Sequence, residues 1–153
     1  LYSSAASDVY KRQCDPLAAP ISRGALKSPT CINIGNPHAV TFVHNIHKLD
    51  VDSIGTAISK NQEFPEGVNV GFCQVVDRGF LRLRVFERGV GETMACGTGA
   101  CAASIVSASK DLTNNKVKVS MPGGKLKLMN QPEEKSILLT GPAEKVFDGK
   151  LKF

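Results

Sequence analysis

A chain of 153 residues, 42% hydrophobic and 22% charged, has the length and composition of one ordinary globular domain. No run approaches the roughly 18 apolar residues of a membrane helix and no secretory signal is visible, which argues against a membrane partner. A net charge of +5 raises nucleic acid as a partner, but only 6% of residues are aromatic and no nucleic-acid motif accompanies the lysines.

The first thirteen residues, LYSSAASDVYKRQ, lack core periodicity and look foreign to the rest of the chain, more like translated adaptor sequence than a protein start. We read 1–13 as a non-native or disordered leader. Residues 14–30, with Pro16, Pro20 and Pro29, read as an extended connector, and 31–153 as the folded domain. Cys31 to Ile34 and Ala39 to Val43 form strand patterns around the Gly35-Asn36-Pro37 break. Asp50 to Lys60 reads as a short helix with Ile54, Ala57 and Ile58 on one face, and Asp50 or Asp52 as its cap. Val68 to Val76 and Phe80 to Phe86 are strands joined at Asp77-Arg78-Gly79 into a hairpin.

A second helix, about Thr98 to Ser109, carries small or apolar groups on every side and no charge before Lys110. A helix without a charged face is buried all round. Three or four further strands complete the chain. In Lys116-Val117-Lys118-Val119 and Lys125-Leu126-Lys127-Leu128 the period of two turns the lysines to water, so the basic excess is a solvated sheet face. The fold expected is α+β, a barrel-like mixed sheet wrapped around a central helix.

The five cysteines are an odd number without framework spacing, which favours reduced thiols and a cytoplasmic setting. Cys96 stands apart from the others. It opens the second helix after a glycine-rich loop, where unpaired N–H groups and the positive end of the helix dipole converge. Such a place makes a thiol easier to ionise, as proton transfer near neutral pH requires. The same N–H groups can hold a carboxylate, and Gly97 and Gly99 let a ligand approach the backbone. Competing readings are weaker. The loop lacks the phosphate-binding GxxxxGK[ST] pattern, and Gly89-Val90-Gly91 alone does not make a dinucleotide site. Cys96 and Cys101 have no ligand spacing for zinc, so no metal is expected, and Cys101 reads as a core thiol.

The stretch ERGVGETMACGTGACAAS, residues 87–104, closely resembles the carboxy-terminal active-site signature of the diaminopimelate epimerases. The resemblance continues in order through Gly35-Asn36-Pro37-His38, the segment from Phe64 to Phe72, Met121-Pro122-Gly123-Gly124, Leu139 to Ala143 and Val146 to Gly149. Proline racemase-like and phenazine-pathway isomerases are neighbours whose signatures differ around the cysteine. The resemblance implies two similar domains, each a barrel-like sheet around a helix, with the active site between them. It implies interconversion of LL- and meso-diaminopimelate in lysine and cell-wall precursor biosynthesis, without cofactor or metal. On matching positions it makes Cys96 one of two acid/base cysteines and His38 and Glu87 the residues that adjust them. Asn36, Asn69, Glu87, Arg88, Gly97 and Thr98 become substrate contacts. It also implies a homodimer for the intact enzyme.

Inversion at an α-carbon needs a base on one face and an acid on the other. A carboxylate-binding site favours the fork of Arg88, although Arg88 could instead pair with Glu87 or Glu92. The family's second cysteine lies in a loop resembling Cys-Gly-Asn-Gly, which this sequence lacks. Cys14 and Cys31 have no glycine context, and Cys73 falls mid-strand. The amino-terminal catalytic half is therefore expected to be missing and the chain alone inactive. The alternatives are a non-catalytic binding module of the same fold or a related cofactor-independent isomerase.

Overall fold

A computed structural model of the chain describes residues 2–6, 29–143, 145 and 147–151. In chain order the elements are β1 (Tyr2–Ala6), β2 (Thr30–Asn33), β3 (Pro37–Phe42), a 3-10 turn (Ile46–Lys48), α1 (Val51–Ser59), β4 (Asn69–Asp77) and β5 (Phe80–Glu87). They continue with β6 (Gly91–Thr93), α2 (Gly97–Ser109), β7 (Lys116–Met121), β8 (Gly124–Gln131) and β9 (Ser136–Thr140). One mixed sheet joins the strands in the order β1-β9-β8-β7-β5-β4-β3-β2, with β6 paired to β5 off this path. β3 with β4 and β5 with β7 are parallel, and the other pairs antiparallel.

Alternation along β4 and β5 sorts two cores onto opposite faces. Val70, Phe72 and Phe86 pack with Val51 and Ile58 of α1. Cys73, Leu83 and Val85 pack with Ala100, Ala103 and Val106 of α2. The sheet curls into a half-barrel around α2, which touches β2, β3, β4, β5, β7, β8 and β9. Residues 99–104 of α2 are all buried, as its lack of a charged face requires. No helix among the described residues is long and apolar enough to cross a membrane.

The elements expected from the sequence are present, with ends moved by a residue or two. Asp50 is the cap of α1, its Oδ1 accepting from Ser53 N–H at 3.1 Å. Asp52, the other candidate, accepts from Glu92 N–H instead, at 2.9 Å. Among the described residues, three strands come after α2. On β7 and β8, Lys116, Lys118, Lys125 and Lys127 are exposed while Val117, Val119 and Leu128 are buried. Of the segment read as a leader, Tyr2–Ala6 is a strand on β9. The remainder of that segment and residues 14–28 lie outside the described residues, as does Cys14.

Candidate active site

Topology gathers the candidates at one end of the half-barrel. β3 and β4 are parallel and both begin there, with His38 beside Asn69 in register. β5 runs against β4 and therefore ends there, at Glu87. α2 starts at the same end, and Asn36 Nδ2 reaches Thr98 Oγ1 at 3.4 Å to tie the β2–β3 turn to the helix.

Cys96 caps α2 in extended conformation, its sulfur accepting from Gly99 N–H at 3.3 Å. It is 7% exposed, at the rim of the inner core, and its neighbours Ala95, Gly97 and Thr98 are exposed. Gly99 leaves little room for a side chain here. A Cβ at that position would lie 3.0 Å from Val85 Cγ2 and 3.2 Å from Cys96 Sγ, tight enough to push the sulfur aside.

From the sulfur a polar chain runs inward. Sγ lies 3.5 Å from Thr98 Oγ1, Thr98 accepts from Asn36, and Asn36 Oδ1 lies 3.1 Å from His38 Nε2. An amide donating from Nδ2 offers Oδ1 as an acceptor, so the chain is continuous when His38 carries its proton on Nε2. His38 Nδ1 then has no partner among the described residues. The ring is 1% exposed, and burial pushes its pKa down to about 4, which keeps it neutral at pH 7.

The remaining candidates form a second group. Asn69 is buried, and its Oδ1 accepts from Arg88 N–H at 3.0 Å, fixing the end of β5 against β4. Glu87 is half-buried and its Oε1 accepts from Thr93 Oγ1 at 2.6 Å. Arg88 is exposed and donates through Nη1 to the Glu66 carbonyl at 3.2 Å. It lines a cleft of about 610 Å³ on the α1 side with Ser59, Phe64 and Glu66. The pairing weighed between Arg88 and Glu92 is not the one formed. Arg84 takes Glu92 with two bonds, Nε to Oε1 at 2.6 Å and Nη2 to Oε2 at 2.7 Å.

Burial pushes the Cys73 thiol up to about 12 and Cys101 up to about 11, the latter with a further contribution from Cys96. Both are core groups, and Cys31 packs on the opposite face of the sheet, against the α1 core. Two residues tied to the site were not singled out from the sequence: Arg84, and Thr93 although it lies within the 87–104 stretch. Their partners depend on which face of β5 and β6 they share, and that is a matter of register.

Comparison with known proteins gives the site its context. Residues 30–146 match the sequence pattern of the family described as diaminopimelate epimerase. A diaminopimelate epimerase of Xanthomonas campestris pv. campestris is 48% identical over 119 residues, covering 78% of this chain and 42% of that protein. One from Acinetobacter baumannii is 51% identical over 120 residues, with the same coverage. The chain thus spans about 42% of the length of these relatives. Among solved structures, a phenazine biosynthesis protein of the PhzF family from Enterococcus faecalis superposes with a TM-score of 0.51. It covers 65% of this chain and 35% of its own at 19% identity, a likeness of fold alone. The sequence match, by contrast, is close and spans every residue of the site, and the chain belongs to the diaminopimelate epimerase family.

Proposed function

We propose that this chain forms one face of a diaminopimelate epimerase site, with Cys96 as one of two proton-transfer groups. One observation carries the reading. A cysteine sulfur sits at the N-cap of a buried helix, directly before exposed Gly97 and Thr98, with the Gly99 N–H directed at it. Gly97 and Thr98 supply the first N–H groups of α2, which have no helical carbonyl to bond. They suit a substrate carboxylate and would stabilise the charge that spreads onto it as the α-carbon–hydrogen bond breaks. No added electron sink is then needed, so the reaction is proposed to run without pyridoxal phosphate or metal.

In the forward step the sulfur takes the α-proton and a group on the opposite face of the carbon returns one. The described thiols other than Cys96 do not suit that second role, because Cys73 and Cys101 are buried in the core and Cys31 faces the other side of the sheet. We therefore assign the opposing group to an amino-terminal half, for which the greater length of the relatives leaves room. Neutral His38, through Asn36 and Thr98, orients the polar wall beside the sulfur. Asn69 and Arg88 serve the rest of the substrate, the Arg88 fork suiting a second carboxylate. Glu87, on the face of β5 that it shares with Val85 and Thr93, acts at the reacting centre and adjusts the proton transfer. The place proposed is lysine and cell-wall precursor biosynthesis in the cytoplasm.

The test is α-hydrogen exchange from diaminopimelate in deuterated water, followed by NMR, for the chain alone and with the amino-terminal half of a relative added. Exchange is expected only in the mixture, and Cys96→Ala abolishes it. Comparable exchange by the chain alone would overturn the one-sided site. Silence in both samples, with both halves folded, would favour a non-catalytic module.

A further inference from the structure

β6 is only three residues long and pairs with β5 alone, Val85 opposite Thr93, Phe86 opposite Glu92 and Glu87 opposite Gly91. So short an edge strand has little intrinsic order, yet it is fastened from two directions. Arg84 forks onto Glu92, and its Nη1 also donates to the carbonyls of Ile46 and Leu49 at 3.0 and 2.9 Å. The Glu92 N–H is anchored on Asp52 of α1. Gly91, at a φ of 106°, makes the tight entry that a side chain would resist.

Thr93 comes directly after Glu92 and so points to the other face of the strand. There it is the diagonal cross-strand neighbour of Glu87, and its hydroxyl meets Glu87 Oε1 at 2.6 Å. The bland account of Thr93 is a β-branched residue suited to a strand. It explains neither a short, charge-assisted O–H···O bond nor the effort spent on immobilising the donor.

We infer that Thr93 is a positioning residue for Glu87. Its hydroxyl occupies Oε1 and fixes the rotation of the carboxylate, so that Oε2 is the oxygen offered to substrate. The Arg84–Glu92–Asp52 clamp is what makes the donor rigid. The assignment deepens the proposed function and rests on it for its catalytic consequence.

The experiment compares Thr93→Val, which keeps the shape and loses the hydroxyl, with Thr93→Ser, which keeps the hydroxyl. The side-chain carboxyl carbon resonance of Glu87 is read at fixed pH on the full chain, and exchange kinetics are read with the amino-terminal half added. Thr93→Val should move the resonance and lower kcat by about 10- to 100-fold, the scale of a misplaced reacting group, with KM within about twofold. Thr93→Ser should leave both near wild type. An unmoved resonance in folded Thr93→Val overturns the assignment, as do equal losses in the two variants or a rise in KM alone. Thr93→Val that fails to fold beside a folded Thr93→Ser makes the hydroxyl a stability element and overturns it too. Absence of exchange in the wild-type mixture would instead sink the proposed function, while the resonance still decides the contact.

Discussion

The imidazole of His38 is stripped of water and compensated by one hydrogen bond, to Asn36 Oδ1. An unfolded histidine takes up a proton near pH 6.5, whereas this one resists until about pH 4. Between those values the unfolded chain binds more protons than the folded one, so stability present above pH 6.5 is lost as pH falls. The loss is complete below about pH 4 and amounts to roughly 3–4 kcal/mol at most, at ~1.4 kcal/mol per unit. Urea unfolding of wild type and His38→Gln from pH 7.5 to 4 should show the steeper decline in wild type. Parallel curves would mean that the ring gains compensation on protonation. At this scale the signature around Cys96 was legible because helix-start placement and glycine flanks are local properties. The partners of Arg84 and Thr93 were not, since both depend on which residues of β5 and β6 lie across from one another.

Among elements, α1 illustrates how tertiary contact overrides propensity. Glycine inside a helix ordinarily costs about 1 kcal/mol relative to alanine. At Gly55, however, the Phe86 side chain lies where a Cβ would stand. Gly55→Ala should therefore lower stability, by roughly 1–3 kcal/mol as overpacking does, instead of raising it. A raised denaturation midpoint would show that Phe86 can move without cost. The helix itself was readable from its apolar face and from Asp50 as cap, and the β4–β5 hairpin from its turn. The parallel pairings of β3 with β4 and β5 with β7 were not readable, because they join segments whose partnership no local pattern encodes. The first of them brings Asn36, His38 and Asn69 together at the mouth of the half-barrel.

For the whole molecule, the apolar character of residues 100–108 already implied a helix enclosed by sheet, and the half-barrel supplies that enclosure. What lay beyond the sequence was the strand order, a global outcome of closing the sheet on the helix. Enclosure has a measurable consequence. Amides of Ala102 to Val106 are surrounded by strands on most sides and should exchange only through global unfolding, whereas α1, on the outer face, should open locally at lower free energy. Hydrogen exchange read by NMR on the isolated chain would check the ranking. Equal protection of the two helices would mean that they unfold as one unit.

The sulfur of Cys96 does two jobs, since the atom assigned to carry a proton also latches the first turn of α2 through Gly99. Serine would latch that turn at least as well, being among the preferred capping residues, so the latch alone does not account for a sulfur here, whereas the proposed proton transfer does. On the proposed function, oxidation or alkylation of this one atom would strike twice, silencing proton transfer and loosening the innermost helix from its end.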